Sequence, residues 1–198
     1  QDVVELISFC QNTLDSKNKI QSFPQVSVAE LFKEFLKIDI LNFLNTDDLK
    51  SLIKKDFPEV PLPESDCQWD DYYFLLFLNK IEPKLKNYPF LLIKEFPAPL
   101  AALSTIKKDD PRVCERFEIY LSGIELCNCF NELTDLKEQK MRFLKQKSEK
   151  KELYNYDLPW PEDFIQTLEK GLPPCAGIAL GVERLLLCLS ELDNPFYT

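Results

Sequence analysis

Apolar positions in the first part of the chain recur at helical spacing. Val3, Val4, Leu6, Ile7 and Leu14 fit a 3.6-residue period. Ser27-Val28-Ala29-Glu30 reads as a capping box that leads into Leu31, Phe32, Phe35 and Leu36. Thr46-Asp47-Asp48 can cap a helix carrying Leu49, Leu52 and Ile53, after which Pro58, Pro61 and Pro63 break the pattern. Trp69, Tyr72, Tyr73, Leu76 and Ile81 predict one further long helix, with its aromatics in a core.

From Phe90 the period changes. Phe90-Leu91-Leu92-Ile93 is an apolar run between Pro89 and Pro97. Arg116 to Leu121 is rich in strand formers, meets Gly123, and is followed by a second run from Ile124 to Phe130, so the two read as a hairpin. Thr134 or Asp135, with Glu138, caps a charged helix running to about Glu152, whose charge run reads as a solvated face. Pro161 opens a helix carrying Phe164, Ile165 and Leu168, which Gly171 closes. Helices with a mostly antiparallel sheet predict an α+β fold. Residues 1–88 are expected to be mainly helical and residues 89–198 to mix strands and helices, with no internal repeat.

Two segments carry candidate chemistry. In Ala176-Gly177-Ile178-Ala179-Leu180-Gly181-Val182-Glu183-Arg184 a strand places Gly177, Ala179 and Gly181 on one face and Ile178, Leu180 and Val182 on the other. The second face is expected to bury in a core. The first is nearly bare, so a flat ligand can lie against the backbone with a phosphate on Arg184; close packing of small residues is the competing explanation. Upstream, Glu125 and Glu132 stand in an apolar strand, where glutamate is rare. Two acids near a polyphosphate can hold Mg²⁺ through oxygens. Their positions have opposite parity, so both face one site only if a bulge or turn intervenes. The alternative is that they pair with arginines such as Arg112 or Arg116.

Composition narrows the chemistry. The 198 residues include no histidine, which removes Ser-His-Asp and Cys-His nucleophiles and His-ligated metals. Catalysis would rest on carboxylates, Lys or Arg, an oxygen-held metal, or positioning. A net charge of -9 argues against nucleic-acid binding through bulk charge. Seven scattered cysteines suit a reducing, cytoplasmic setting, and no apolar run reaches membrane-spanning length.

Taken in order, Phe96-Pro97-Ala98, Arg112-Val113-Cys114-Glu115-Arg116-Phe117-Glu118, Gly123-Ile124-Glu125-Leu126, Asn128, Phe130, Glu132-Leu133-Thr134-Asp135, and Gly171-Leu172-Pro173-Pro174 leading to Gly177 and Arg184 resemble class II aminoacyl-tRNA synthetases of the lysyl type. The wording of the Arg112–Glu118 segment, Cys175, and Ala179 in place of a usual glycine resemble the short paralogues in that family that modify elongation factor P. The resemblance implies a class II synthetase-like antiparallel sheet flanked by helices, with the N-terminal portion of the fold outside this sequence. It implies ATP-dependent activation of (R)-β-lysine, or lysine, as an adenylate and transfer to a lysine of elongation factor P.

By position the resemblance implies that Glu125, Leu126, Gly181 and Arg184 contact ATP, with Arg184 as the catalytic cation on the terminal phosphates. Glu132, Asn128, Ala179 and Gly177 would line the amino-acid site, Glu132 taking the substrate ammonium. Glu125 and Glu132 would be the acids for Mg²⁺. It also implies a homodimer when full length, no membrane and no tRNA partner. The two earlier class II signatures are not in this sequence, so the isolated chain is expected to activate amino acids poorly. Cys129 stands where the family has glycine, either crowding the pocket or facing the core. Competing expectations are the catalytic C-terminus of a lysyl-tRNA synthetase and a non-catalytic module that keeps the fold.

Overall fold

A computed structural model of the chain describes residues 1–190 apart from 15, 17, 18, 64 and 66. Helix α1 (Asp2–Thr13) leads to a short strand β1 (Gln25–Ser27) and then to α2 (Val28–Leu36). The capping box at the start of α2 forms as the sequence predicts. Ser27 Oγ accepts from the Glu30 N–H at 3.2 Å, and Glu30 Oε2 accepts from the Ser27 N–H at 2.7 Å. Helix α3 (Thr46–Asp56) is capped one residue earlier than expected, by Asn45. The long helix expected around Trp69 is broken. It runs as α4 (Trp69–Leu76), a π turn (Phe77–Ile81) and α5 (Glu82–Leu85).

Strands β2 (Leu91–Pro97), β3 (Val113–Leu121), β4 (Ile124–Asn131) and β5 (Ala176–Leu180) complete a five-stranded sheet in the order β1-β2-β3-β4-β5. Only β1 and β2 run parallel; the other neighbours are antiparallel. The β3–β4 hairpin turns on Ser122 and Gly123, at φ 49° and 86°, as a two-residue loop of the primed type requires. A side chain at Gly123 would also crowd the Lys86 backbone, at 3.0 Å. Helices α6 (Leu136–Tyr154) and α7 (Glu162–Glu169) lie between β4 and β5 in sequence, and α8 (Val182–Leu189) follows β5.

Two cores flank the sheet. On one face, α2 to α5 pack Phe32, Tyr72, Tyr73, Leu76 and Ile81 onto Ile93, Phe96, Cys114 and Tyr120 of β2 and β3. Trp69, Phe32 and Phe77 each stack on Tyr73, so the aromatics serve the core as the sequence suggests. On the other face, Ile7 of α1 and Leu185 and Leu189 of α8 pack onto Ile119, Leu121 and Cys127. The helical layer on the first face is seated on β2 and β3. Over β4 and β5 the same face stays accessible, and the candidate residues lie there.

One expectation for β5 fails. Ile178 and Val182 do not bury; they are 47% and 60% exposed. The reason is position: β5 is the edge strand of the described sheet, so the back core reaches Leu180 but not Ile178, and Val182 has already left the strand as the first residue of α8.

Candidate active site

The parity conflict between Glu125 and Glu132 is resolved by a bulge. Ile119 pairs with Cys127, yet Tyr120 pairs with Glu125, so Leu126 is an extra residue in β4. Leu126 and Cys127 both turn into the back core, at 1% and 2% exposure. Glu125 is thereby carried to the face of Asn128, Phe130 and Glu132. Across β3 this face presents Arg116, Glu118 and Tyr120, opposite Phe130, Asn128 and Glu125. Across β5 it presents Gly177 opposite Phe130 and Ala179 opposite Asn128.

The bulge also anchors the turn into α8. The Gly181 N–H donates to the Leu126 carbonyl at 2.9 Å, and Arg184 Nη1 donates to the Glu125 carbonyl at 2.7 Å. A Cβ at Gly181 would stand 3.2 Å from Arg184 Cδ, so the missing side chain makes room for the arginine stem. Arg184 is 55% exposed and 3.8 Å from Glu125 Oε2, a loose pair in water that leaves the guanidinium free to turn to an anion.

At the other end of β4, the Glu132 N–H donates to the Cys175 carbonyl at 2.9 Å. Its carboxylate curls over Gly177: a Cβ there would overlap Glu132 Oε1 and lie 3.3 Å from Cδ. Among the described residues no lysine or arginine lies within ion-pair distance of Glu132, so its charge is available to a cation. The loop before β3 walls this end. Leu133 N–H donates to Leu103 at 2.8 Å, Thr105 N–H donates to Asn131 at 2.9 Å, and Arg142 of α6 holds the Ala102 and Ser104 carbonyls at 2.7 and 2.8 Å.

Three sequence expectations are corrected by this geometry. Glu125 and Glu132 share a face but stand seven positions apart on one strand, about 20 Å by strand rise, too far for one ion to bridge their carboxylates. The acid near Glu125 is Glu118, which sequence reasoning passed over. Its signal was available: Arg116, Glu118 and Tyr120 alternate along one face of a strand. Leu126 cannot offer its side chain to a nucleotide, because the bulge buries it behind the sheet. Neither candidate acid takes the suggested arginines; Arg112 pairs with Asp110 at 2.8 Å and Arg116 with Glu118 at 2.5 Å. Cys129, the departure from the family pattern, is 7% exposed, lies opposite Phe117 and Ile178, and faces the back core, not the site.

Glu118 is the most constrained acid here. Its oxygens accept from Arg116 Nη2 at 2.5 Å and from the Tyr120 hydroxyl at 3.0 Å. Burial pushes its carboxyl above the usual range; Arg116 opposes the rise and Glu125 adds to it. Burial, with the Glu118 charge beside it, also raises the Tyr120 hydroxyl, and burial pushes the Cys127 thiol up to about 12. The Tyr120 hydroxyl and the Cys127 thiol therefore keep their protons at neutral pH, and all seven cysteines are free thiols. Among the described residues no cluster of three or more His, Cys, Asp or Glu forms. Mg²⁺ needs no such cluster: it binds through one or two carboxylates together with substrate phosphates, and Glu125, with Glu118 beside it, fits that pattern.

A half-exposed arginine and acid at one end of an open strand pair, and an uncompensated carboxylate at the other, have the charge pattern to complement an elongated ligand that is anionic at one end and cationic at the other. Residues 2–194 match the family of class II tRNA synthetases for aspartate, lysine and asparagine, and the chain belongs to that family. Its curated relatives are narrower in kind. The elongation factor P–(R)-β-lysine ligase of Buchnera aphidicola subsp. Acyrthosiphon pisum (strain APS) is 38% identical over 173 residues, 86% of this chain and 52% of the relative. Ligases of the same name from Hamiltonella defensa and Proteus mirabilis are each 34% identical, over 98% and 94% of this chain and 59% and 57% of their own lengths. The chain therefore spans little more than half the length of these relatives. Among the described residues no helix is long and apolar enough to cross a membrane.

Proposed function

We propose that this chain carries part of the site of an ATP-dependent ligase that activates (R)-β-lysine, or lysine, as an adenylate and passes it to a lysine of elongation factor P in the cytoplasm. The observation that carries the reading is the Leu126 bulge. It puts Glu125, Asn128 and Glu132 on one open face with Gly177, Ala179 and Arg184. Adenylation requires no histidine, because the substrate carboxylate is the nucleophile and the protein must align it with a phosphorus atom and offset charge.

In this reading Glu132 holds the substrate ammonium over Gly177, and Ala179 floors the space between. Arg184 binds the terminal phosphates from the start of α8, where the helix dipole adds to its charge. Glu125, with Glu118 beside it, would hold Mg²⁺ entering with the nucleotide, which would supply neutralisation of phosphate charge. Residues 1–88 are the supporting layer and residues 89–198 carry the motifs of one C-terminal catalytic part, which would act as a homodimer in a full-length protein, without tRNA. In a protein containing this chain and an upstream synthetase segment, Arg184→Ala is expected to abolish ATP–pyrophosphate exchange. Unchanged exchange would refute the site assignment.

A further inference from the structure

Arg116 makes more contacts than a surface-pairing arginine needs. It lies on β3 under the open face with its side chain only 12% exposed. Nη2 holds Glu118 at 2.5 Å, Nη1 holds the Leu100 carbonyl at 3.1 Å, and Nε donates to Asn128 Oδ1 at 3.1 Å. The guanidinium lies 4.5 Å from the Phe96 ring centre and 5.4 Å from that of Phe130, within cation–π distance of both rings. Each of its three nitrogens has a fixed acceptor.

Of those acceptors, Asn128 is the one that is also a candidate contact for the amino acid. A guanidinium has donors and no acceptor, so the amide atom it meets must be the oxygen. This fixes an orientation that an asparagine otherwise interchanges. With Oδ1 held by Arg116, the NH₂ group is the part of the Asn128 amide left for a ligand, on a residue paired with Ala179 in the sheet.

We infer that Arg116 is a positioning residue: it locks the Asn128 amide so that the site reads an acceptor atom of the ligand there. A locked NH₂ donates to a carboxylate, carbonyl or phosphoryl oxygen and rejects an ammonium. The ammonium is thereby directed to Glu132, and the ligand can enter in only one sense. The inference rests on the adenylation reading for the identity of the ligand, but the lock itself does not.

Two measurements test it on the full chain. The first needs no ligand. In a sample labelled with ¹⁵N-asparagine, the Asn128 NH₂ pair, assigned by its loss in Asn128→Asp, should be as ordered as the backbone. In Arg116→Lys, where a swivelling ammonium replaces a fixed fork, it should become mobile. An Asn128 NH₂ already averaging in the wild type, or equally ordered in a folded Arg116→Lys, overturns the inference. The wild-type spectrum decides even if the lysine variant fails to fold.

The second measures binding of ATP and of lysine or (R)-β-lysine by calorimetry. Arg116→Lys and Asn128→Ala should each weaken amino-acid affinity about 10- to 100-fold, with ATP affinity within about twofold. Together they should cost little more than either alone, because Arg116 acts through Asn128. Asn128→Asp keeps the Arg116 contact but replaces the donor, so it should fold and still lose the amino acid. Additive losses, or wild-type amino-acid affinity in Asn128→Asp, overturn the lock. In a protein containing this chain and an upstream synthetase segment, a wild type that binds neither ligand counts against the adenylation reading, while the amide order still decides the role of Arg116.

Discussion

Gly177→Ala separates the proposed ligand role of Glu132 from its structural role. A Cβ at position 177 would overlap Glu132 Oε1, while Cδ and Cγ stand at 3.3 and 3.8 Å. The colliding atom is the tip of a flexible side chain, so the strand can keep its place and the carboxylate must swing. Relieving the overlap takes a movement of roughly 1 Å, a misplacement that can cost a reacting or binding group about 100-fold. A charge-assisted hydrogen bond contributes about 1.5–3 kcal/mol, which bounds the loss at about 10- to 100-fold in amino-acid affinity. Stability should move the other way or hardly at all, because alanine in a strand loses less backbone entropy than glycine, about 0.5–1 kcal/mol. The assay pairs calorimetric titration of lysine and (R)-β-lysine, with ATP present, against thermal unfolding of the same samples. Weaker amino-acid binding with unchanged ATP binding and an unchanged or raised Tm is the expected result. Wild-type affinity in a stably folded Gly177→Ala would refute the reasoning, since the ammonium partner would not be the carboxylate lying over that glycine.

Three further variants probe other links. Glu30→Gln should destabilise by about 1 kcal/mol at neutral pH by weakening the capping box. The Glu30 carboxyl is held below its ordinary value by the Ser27 N–H and hydroxyl, so its contribution is present above about pH 4.3 and is lost as the pH falls through the lower folded value. The gap between wild type and variant in denaturant unfolding should therefore close on acidification; a gap that widens contradicts the sign. Ala179→Gly should raise the use of α-lysine relative to β-lysine, at a stability cost of about 0.5–1 kcal/mol for glycine in a strand; an unmoved preference removes the methyl of Ala179 from the pocket floor. Cys129→Gly should cost about 1–2 kcal/mol and leave ligand affinity unchanged, because that thiol faces the back core. A change in lysine affinity there would mean that residue 129 reaches the site.

What could be read in the sequence was whatever rests on local chemistry. The Ser27–Glu30 box, the Ser122–Gly123 turn and the Asp135 cap of α6, which accepts from the Glu138 N–H at 2.7 Å, depend on residues within a few positions of each other. The fate of Ile178 and Val182 was not local. Alternation told which side of the strand Ile178 takes, but whether that side is covered depends on β5 lying at the sheet edge, and Val182 belongs not to the strand but to the first turn of α8. The π turn at Phe77–Ile81 likewise leaves the apolar periodicity of its helix almost intact, and no proline or glycine within it marks the break.

The bulge at Leu126 is the sharpest case, because the site depends on it and no residue type announces it. A strand of strict alternation would send Glu125 and Glu132 to opposite faces and put Leu126 in solvent beside Asn128. The chain avoids that by setting two consecutive apolar residues, Leu126 and Cys127, into the same back core. Burial of Leu126 favours the insertion; a polar residue there would remove the reason for both to turn inward. The Gly181 N–H then meets the Leu126 carbonyl, and Arg184 meets the carbonyl of Glu125. An irregularity in β4 is thus what docks the turn after β5, and a cation 59 residues downstream is brought to an acid by backbone atoms instead of by charge. The bare face of Gly177 and Gly181 follows from the same geometry. Each glycine clears space for a charged side chain of the protein itself, Glu132 over one and Arg184 over the other, so in the proposed reading a ligand would meet those two groups rather than the backbone beneath them.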